Sequence, residues 1–389
     1  MQNRIRTREE GNAMIRTLTA TAAATALALT AGPALAELKI GSIVELSGPG
    51  AAAGTNFRDG VRMGFEEINT DGGVLGEPVA ITEYDSQTDP QVSRAMVQKA
   101  IDDGVVAITG TVFSSSTVVN MLVAKQAGIP QFTGSEAPSI TAMNNPYIFR
   151  TAFGSQKGVP KMAKYMADEM GVKKVAVVWA NTEFGKGGHE SFLKEAEAHG
   201  FEIVADLPTE QAQTDFSADV VKLKGIQADA AFVYLTEEES ARFLREARKQ
   251  GVTLPLVGET TLIGHKVIEL AGDAANGAMG HVGLTPDANI PAMTEMVEKF
   301  KAKFNYTPDH NAIKGYTAAY TLKCVAEMVG EADSQAIADK MHGLTLTVAE
   351  CPGVLMDVSW DETGEMSRES FFVEVQDGKQ VVKAILPPN

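Results

Sequence analysis

Residues 79–117 read VAITEYDSQTDPQVSRAMVQKAIDDGVVAITGTVFSSST. Val79–Tyr84 is a short β-prone run that ends at Asp85. Pro90–Asp103 carries Val92, Ala95, Met96 and Ala100 at helical spacing, and Gly104 stops it. Val105–Thr109 is a second run, apolar almost throughout, as expected of a strand in a parallel sheet covered on both faces. Thr111 and then Ser114-Ser115-Ser116-Thr117 follow where the next helix should begin. The stretch predicts a strand–helix–strand unit that ends in a loop rich in hydroxyls.

The same alternation extends both ways. Strands are predicted at Leu38–Leu46, Gln131–Thr133, Val175–Ala180, Ile203–Leu207, Ala230–Leu235 and Leu256–Val257. Helices are predicted at Phe57–Asn69, Ser115–Ala127, Lys157–Met170, Gly187–Ala198, Phe216–Leu223 and Glu238–Gln250. This is an α/β protein of doubly wound sheets. One open sheet of that many strands would be unusual, so two sheets in series are expected, breaking near Phe149–Lys157. Three helices follow (Met293–Phe304, Asn311–Val329, Ser334–Met341), then strands at Val354–Val358 and Phe371–Val375. The latter pairs with Val381–Ile385 across Asp377-Gly378, a favoured hairpin turn. This late mixture predicts a chain that returns to its earlier sheets.

The chain has 389 residues, 44% hydrophobic and 22% charged, enough apolar material for packed cores. Its 50 acidic against 34 basic residues give a formal charge of −16, which argues against nucleic acid or an anionic membrane as partner. At the N-terminus Arg4, Arg6, Arg8 and Arg16 precede an Ala/Leu/Thr-rich run from Leu18 that closes on Ala34-Leu35-Ala36. That pattern predicts a signal peptide over residues 1–36, with cleavage after Ala36 and Met14 as an alternative start. Export places Cys324 and Cys351 in an oxidising compartment, where one disulfide is expected, worth ~3 kcal/mol in the chain-entropy model.

Enzyme signatures are sparse. Gly48-Pro49-Gly50-Ala51-Ala52-Ala53-Gly54 follows the first strand, and Asp85 ends the second. Together they suggest an NAD(P)-dependent oxidoreductase as an alternative. Pro49 weakens it, because it removes an N–H where pyrophosphate needs donors. Neither a phosphate loop nor a GxSxG elbow occurs, and the six histidines lack metal-ligand spacing. No cofactor or metal is expected. Glu237-Glu238-Glu239 reads as an acidic helix start. The stronger signal is the Ser114–Thr117 run at a helix N-terminus, which offers free amides and hydroxyls to a carboxylate. Gly134-Ser135-Glu136, after the next strand, would lie beside it.

Several of these segments fall in a familiar order: Leu38–Gly48, the GxxxAxxxIN-like Gly60–Asn69 with Gly72-Gly73, Tyr84-Asp85, Asp89-Pro90, Gly110 with Ser114–Thr117, and Arg150-Thr151. Phe184-Gly185, Asp215-Phe216-Ser217, Gly258-Glu259 and Gly315-Tyr316 continue the series. The chain resembles the periplasmic substrate-binding proteins of branched-chain amino-acid ABC importers over residues 38–389. The resemblance implies a type I periplasmic binding fold, with two Rossmann-like lobes joined by three crossovers and closing on a ligand. One lobe would be residues 37–153 plus 283–360, the other 154–282 plus 361–389. It further implies a periplasmic monomer that binds a small molecule, an amino acid or related carboxylate, and docks on an ABC permease.

By position, the resemblance gives Ser114 and the amides of Ser115 and Ser116 to the ligand carboxylate. Ser135 and Glu136 fall on the paired loop, Phe184 on an aromatic that closes over the ligand, and Glu259 on the acid that receives an ammonium. Thr236 and Glu237 are lining positions, and Tyr316 a rim aromatic. Ala53 stands where an aromatic is frequent and leaves more room. Glu136 replaces a neutral residue, which with Glu259 favours a positive group on the ligand. No Arg or Lys falls on a matched position, which argues against a dianion. An aromatic carboxylate, or an amide or urea, is the alternative ligand.

Overall fold

Strand β1 (Leu38–Val44) is buried except at Lys39 and sits inside a five-stranded parallel sheet. Its neighbours are β2 (Val79–Asp85) and β3 (Ala107–Gly110), followed outward by β4 (Gln131–Thr133) and β5 (Ile148–Arg150), in the order β2-β1-β3-β4-β5. The computed structural model describes residues 37–388, so the signal peptide read over 1–36 lies outside the described residues. A second sheet holds β6 (Lys174–Ala180), β7 (Glu202–Thr209), β8 (Ala230–Tyr234), β9 (Leu256–Gly258) and β10 (Met279–Val282), all parallel. After three short strands of a separate sheet, β11 (Thr345–Leu346), β12 (Val358–Trp360) and β13 (Met366–Ser367), the chain adds β14 (Ser370–Gln376) and β15 (Lys379–Leu386) antiparallel to the second sheet's edge. The order there is β15-β14-β10-β9-β8-β6-β7.

Local chemistry sets the helices between these strands. Asp89 caps the helix Pro90–Asp102 by accepting the amides of Gln91 and Val92 at 2.8 and 3.0 Å, with Pro90 in the first turn. Gly128 and Gly200 end the helices Ser114–Ala127 and Glu183–His199 in the left-handed conformation. The helices Ala51–Thr70 and His310–Val329 touch backbone to backbone. A Cβ on Gly60 would lie 1.9 Å from the Ala312 carbonyl oxygen, and one on Gly315 would lie 2.1 Å from that of Phe57.

The late helices join the first sheet's core, where Leu322, Val325, Ile337 and Met341 pack with Ile40, Phe132 and Phe149. Trp360 and Met366 belong to the same cluster, and β13 pairs with β12. The third connection between the sheets therefore falls at 368–369 rather than after 360. The first two run through 151–154 and 283–290. Arg150, fully buried, anchors this region through a 2.7 Å ion pair with Glu365 and bonds to the Ser135 and Ala137 carbonyls. Cys324 and Cys351 form a disulfide with Cα atoms 6.1 Å apart, tying the helix His310–Val329 to the turn at Pro352–Val354.

Two element boundaries near the site also shift. The strand expected at Val354–Val358 begins only at Val358, because Pro352 and the positive φ of Leu355 (66°) make a 3₁₀ turn first. The helix expected from Phe57 starts at Ala51. That early start uses up the glycine loop: the Gly50 amide donates to Thr88 Oγ1 at 3.0 Å and the Gly54 amide to the Gly50 carbonyl at 3.0 Å. Asp85, read as a ribose acid, accepts the amides of Leu46, Ser47 and Gln87 and the Ser47 hydroxyl. The dinucleotide alternative loses two glycine amides and its acid to contacts within the chain.

Candidate functional site

The parallel strands of both sheets reverse their order, between β1 and β3 in one and between β6 and β8 in the other. Crevices open at the carboxyl ends of strands beside such reversals. Here the two crevices face each other across one cavity of about 270 Å³. Pro49 follows β1, Phe113, Ser114 and Ser115 follow β3, and Glu136 follows β4. From the other side come Thr182 and Phe184 after β6, Thr236 and Glu237 after β8, and Thr261 after β9.

One end of the cavity offers uncommitted hydrogen-bond donors. Ser116 and Thr117 both donate to the Phe113 carbonyl at 3.1 Å, while the first-turn amides of Ser114 and Ser115 have no helical partner. Ser114 Oγ accepts the amides of Glu136 and Ala137 at 3.3 and 3.2 Å, so its own proton stays available to a ligand. Behind this turn, Glu45 at the end of β1 accepts the amides of Val112 and Phe113 and fixes the approach to Ser114. Burial, opposed by those amides, pushes the Glu45 carboxyl up to about 7.

The middle is apolar and the far end charged. Phe113 lines one side, and on the other Phe184 stacks on Tyr234 with centroids 4.2 Å apart. Thr236 caps the helix Glu237–Lys249 in a reciprocal box with Glu239. Glu237 accepts Asn311 Nδ2 at 2.8 Å and lies 3.3 Å from His310 Nε2, a contact that spans the two sides. Burial alone would raise the Glu237 carboxyl, but His310 and Asn311 more than offset it and hold it near 2. For Glu238 burial and the neighbouring Glu237 charge win over the Arg242 charge and lift it to about 7. Ser139 and Glu183 add a second bond across the cleft at 2.6 Å.

Of the residues singled out from sequence, Ser114, Ser115, Glu136, Phe184, Thr236 and Glu237 line this cavity. Ser116 is fully buried with its amide engaged, and the Ser135 hydroxyl bonds the Val112 carbonyl at 2.8 Å behind the wall. Ala53 is buried inside the helix Ala51–Thr70, where the room it was expected to leave does not open on the cavity; Phe113 packs there against Gly50. Tyr316 turns away from the cleft and donates to Glu67 at 2.7 Å. Glu259 lines a smaller adjoining cavity of about 30 Å³ and pairs with His281 Nδ1 at 2.7 Å. Two histidines are thus partners of buried acids, which their spacing in sequence did not suggest.

The sequence reading missed His310, Asn311, Lys314, Arg242 and Glu238. Lys314 pairs with Glu136 at 2.7 Å and Arg242 also lines the cavity, so cations reach the cleft from positions outside those matched by the resemblance. Reading Tyr316 on the rim hid Lys314, and the observed turn of Tyr316 toward Glu67 reverses the helix phase. Residues two apart on a helix point nearly opposite ways, so a core-facing Tyr316 sets Lys314 toward the cleft. Among the described residues no cluster of His, Cys, Asp and Glu could hold a metal ion, and no helix is long and apolar enough to cross a membrane.

Comparison with known proteins gives the same architecture. The chain is 28% identical over 339 residues to the leucine-, isoleucine-, valine-, threonine- and alanine-binding protein of Pseudomonas aeruginosa, covering 86% of this chain and 89% of that one. It is 26% identical to the Leu/Ile/Val-binding protein homolog 1 of Brucella melitensis, covering 90% and 94%. The fold matches the Streptococcus pneumoniae branched-chain amino acid transporter substrate-binding protein in complex with isoleucine (TM-score 0.81, 24% identity, 91% and 100% covered). It also matches an ABC transporter solute-binding protein from R. palustris in complex with benzoate (TM-score 0.84, 21% identity, 91% and 98% covered). A family model described as periplasmic binding protein matches residues 37–380, and the chain belongs to that family.

Proposed function

We propose that the protein is the extracytoplasmic receptor of an ABC importer, which captures a small carboxylate-bearing ligand between its lobes and hands it to a membrane permease. In this reading it is exported with loss of residues 1–36, acts as a monomer, and performs no chemistry on its ligand. The observation that carries the reading is the cleft itself. Loops from the carboxyl ends of parallel strands in two sheets meet there, and the free hydroxyl proton and first-turn amides at Ser114 support a carboxylate at that end. Related proteins named for leucine, isoleucine and valine, and neighbours crystallised with isoleucine or benzoate, are consistent with a ligand of that kind.

A thermal-shift panel tests it, because a ligand of the folded state raises the unfolding temperature according to its saturation. Amino acids, simple carboxylates, amides and NAD would be compared. A rise with one or more carboxylates is expected. A rise with NAD alone would return the protein to the enzyme class.

A further inference from the structure

Most acids of the cleft already have a partner from within the chain. Glu136 is held by the Lys314 ammonium at 2.7 Å, and Glu237 by His310 and Asn311. Glu239 is spent on the Thr236 cap and the Ala212 amide, and Glu259 on His281. Glu238 remains, and its raised affinity for a proton makes it a donor as readily as an anion near neutrality. Among the described residues Arg242 makes no ion pair within 4 Å; it donates to the Gln213 carbonyl at 3.4 Å, and its charge is felt by Glu238. The charged groups left over at the cavity wall are thus one acid and one cation, Glu238 and Arg242, so no acid there is in surplus for a ligand ammonium.

Position sharpens this. A carboxylate on the Ser114 hydroxyl and the first-turn amides sits beside the Gly134–Glu136 loop, since Ser114 Oγ itself bonds the Glu136 amide. An α-ammonium is one carbon from its carboxylate, and its acceptors would be the Glu136 carboxylate and the Gly134 carbonyl. Both are taken by Lys314 Nζ, at 2.7 and 3.3 Å, and Lys314 is 8% exposed. A second ammonium there would meet a like charge with little water to screen it.

We propose that the cleft selects carboxylates that lack an α-ammonium, and that Lys314 is the residue that excludes α-amino acids. This rests on the receptor reading above and narrows its ligand to desamino acids, whether aliphatic or aromatic.

Isothermal titration of the full mature chain with matched pairs tests it: 4-methylpentanoate against leucine, 3-phenylpropanoate against phenylalanine, butanoate against 2-aminobutanoate. The desamino member of the best pair should bind at least about tenfold tighter, as a like-charge clash in a dry site requires. Lys314→Met keeps the stem and removes the charge, and should shift the ratio toward the amino acid by about tenfold or more, whereas Lys314→Arg should preserve the wild-type order. Equal or tighter binding of the amino acids by the wild-type protein overturns the proposal and leaves the receptor reading standing. Should neither member of any pair bind, the small-carboxylate receptor reading fails and takes this proposal with it. The wild-type comparison decides even if a variant does not fold.

Discussion

Glu45 shows how much a single side chain can set without touching ligand. It is fully buried at the end of β1, and its carboxyl is pushed up to about 7, chiefly by burial, while Val112 and Phe113 amides oppose the rise. Between pH 4.5 and 7 the folded state keeps a proton that the unfolded chain has released. Its contribution to stability is therefore complete below about 4.5 and is lost as pH rises through 7. Glu45→Gln cannot titrate, so the stability of the variant relative to wild type should grow by up to about 3 kcal/mol from pH 5 to pH 8. Urea titrations at each pH would check this, and parallel pH profiles would contradict it. Neither the burial nor the role of Glu45 was legible in sequence, where it reads as one more acid in LKIGSIVELSG. Ser114 was legible, because a run of hydroxyls after a strand and before a helix has few other uses. Ser116 and Ser135 look the same in sequence, and only helix phase and the depth of β4 separate them from the wall.

Among the elements, the pair Ala51–Thr70 and His310–Val329 matters most for the site, since the second helix carries His310, Asn311 and Lys314. The two can approach only because Gly60 and Gly315 lack side chains. Gly60→Ala would place a methyl 1.9 Å from the Ala312 oxygen and must push the helices apart. A loss of about 1–3 kcal/mol in stability is expected, typical of overpacking, together with weaker ligand binding as Lys314 moves. A urea midpoint and a titration on the same sample would test both, and an unchanged midpoint would show that the helices are not fixed at this contact. Most strands and helices of the alternating region were legible, because a parallel strand is a continuous apolar run and its helix keeps a 3.6-residue period. Strand β10 and the helix His265–Ala271 were not predicted, and the helices from Ala51 and Glu183 start several residues before the expected Phe57 and Gly187. The short strands β11 and β13, of two residues each, carry no such pattern, and with them the third connection between the sheets was misplaced.

For the whole molecule, the cross-cleft bonds Ser139–Glu183, Asn311–Glu237 and Tyr234–Glu136 describe lobes in contact around the cavity. They are few and polar, and the connections at 151–154, 283–290 and 368–369 are short, which suits a hinged clamp. Saturating ligand should therefore lower the radius of gyration in small-angle scattering, and an identical value with and without ligand would argue against a hinge. The resemblance in sequence carried the two-lobed fold well, but it could not supply the charge balance of the cleft, which depends on Lys314 and Arg242 from segments remote in the chain.

The central claim is that a ligand carboxylate sits on Ser114 between the lobes. Isothermal titration of wild type and Ser114→Ala, with the tightest carboxylate from the panel, tests it most directly. Losing one charge-assisted hydrogen bond should weaken binding by ~1.5–3 kcal/mol, more than tenfold, while the variant still unfolds cooperatively. An affinity unchanged within threefold, on a folded variant, would contradict the placement of the site.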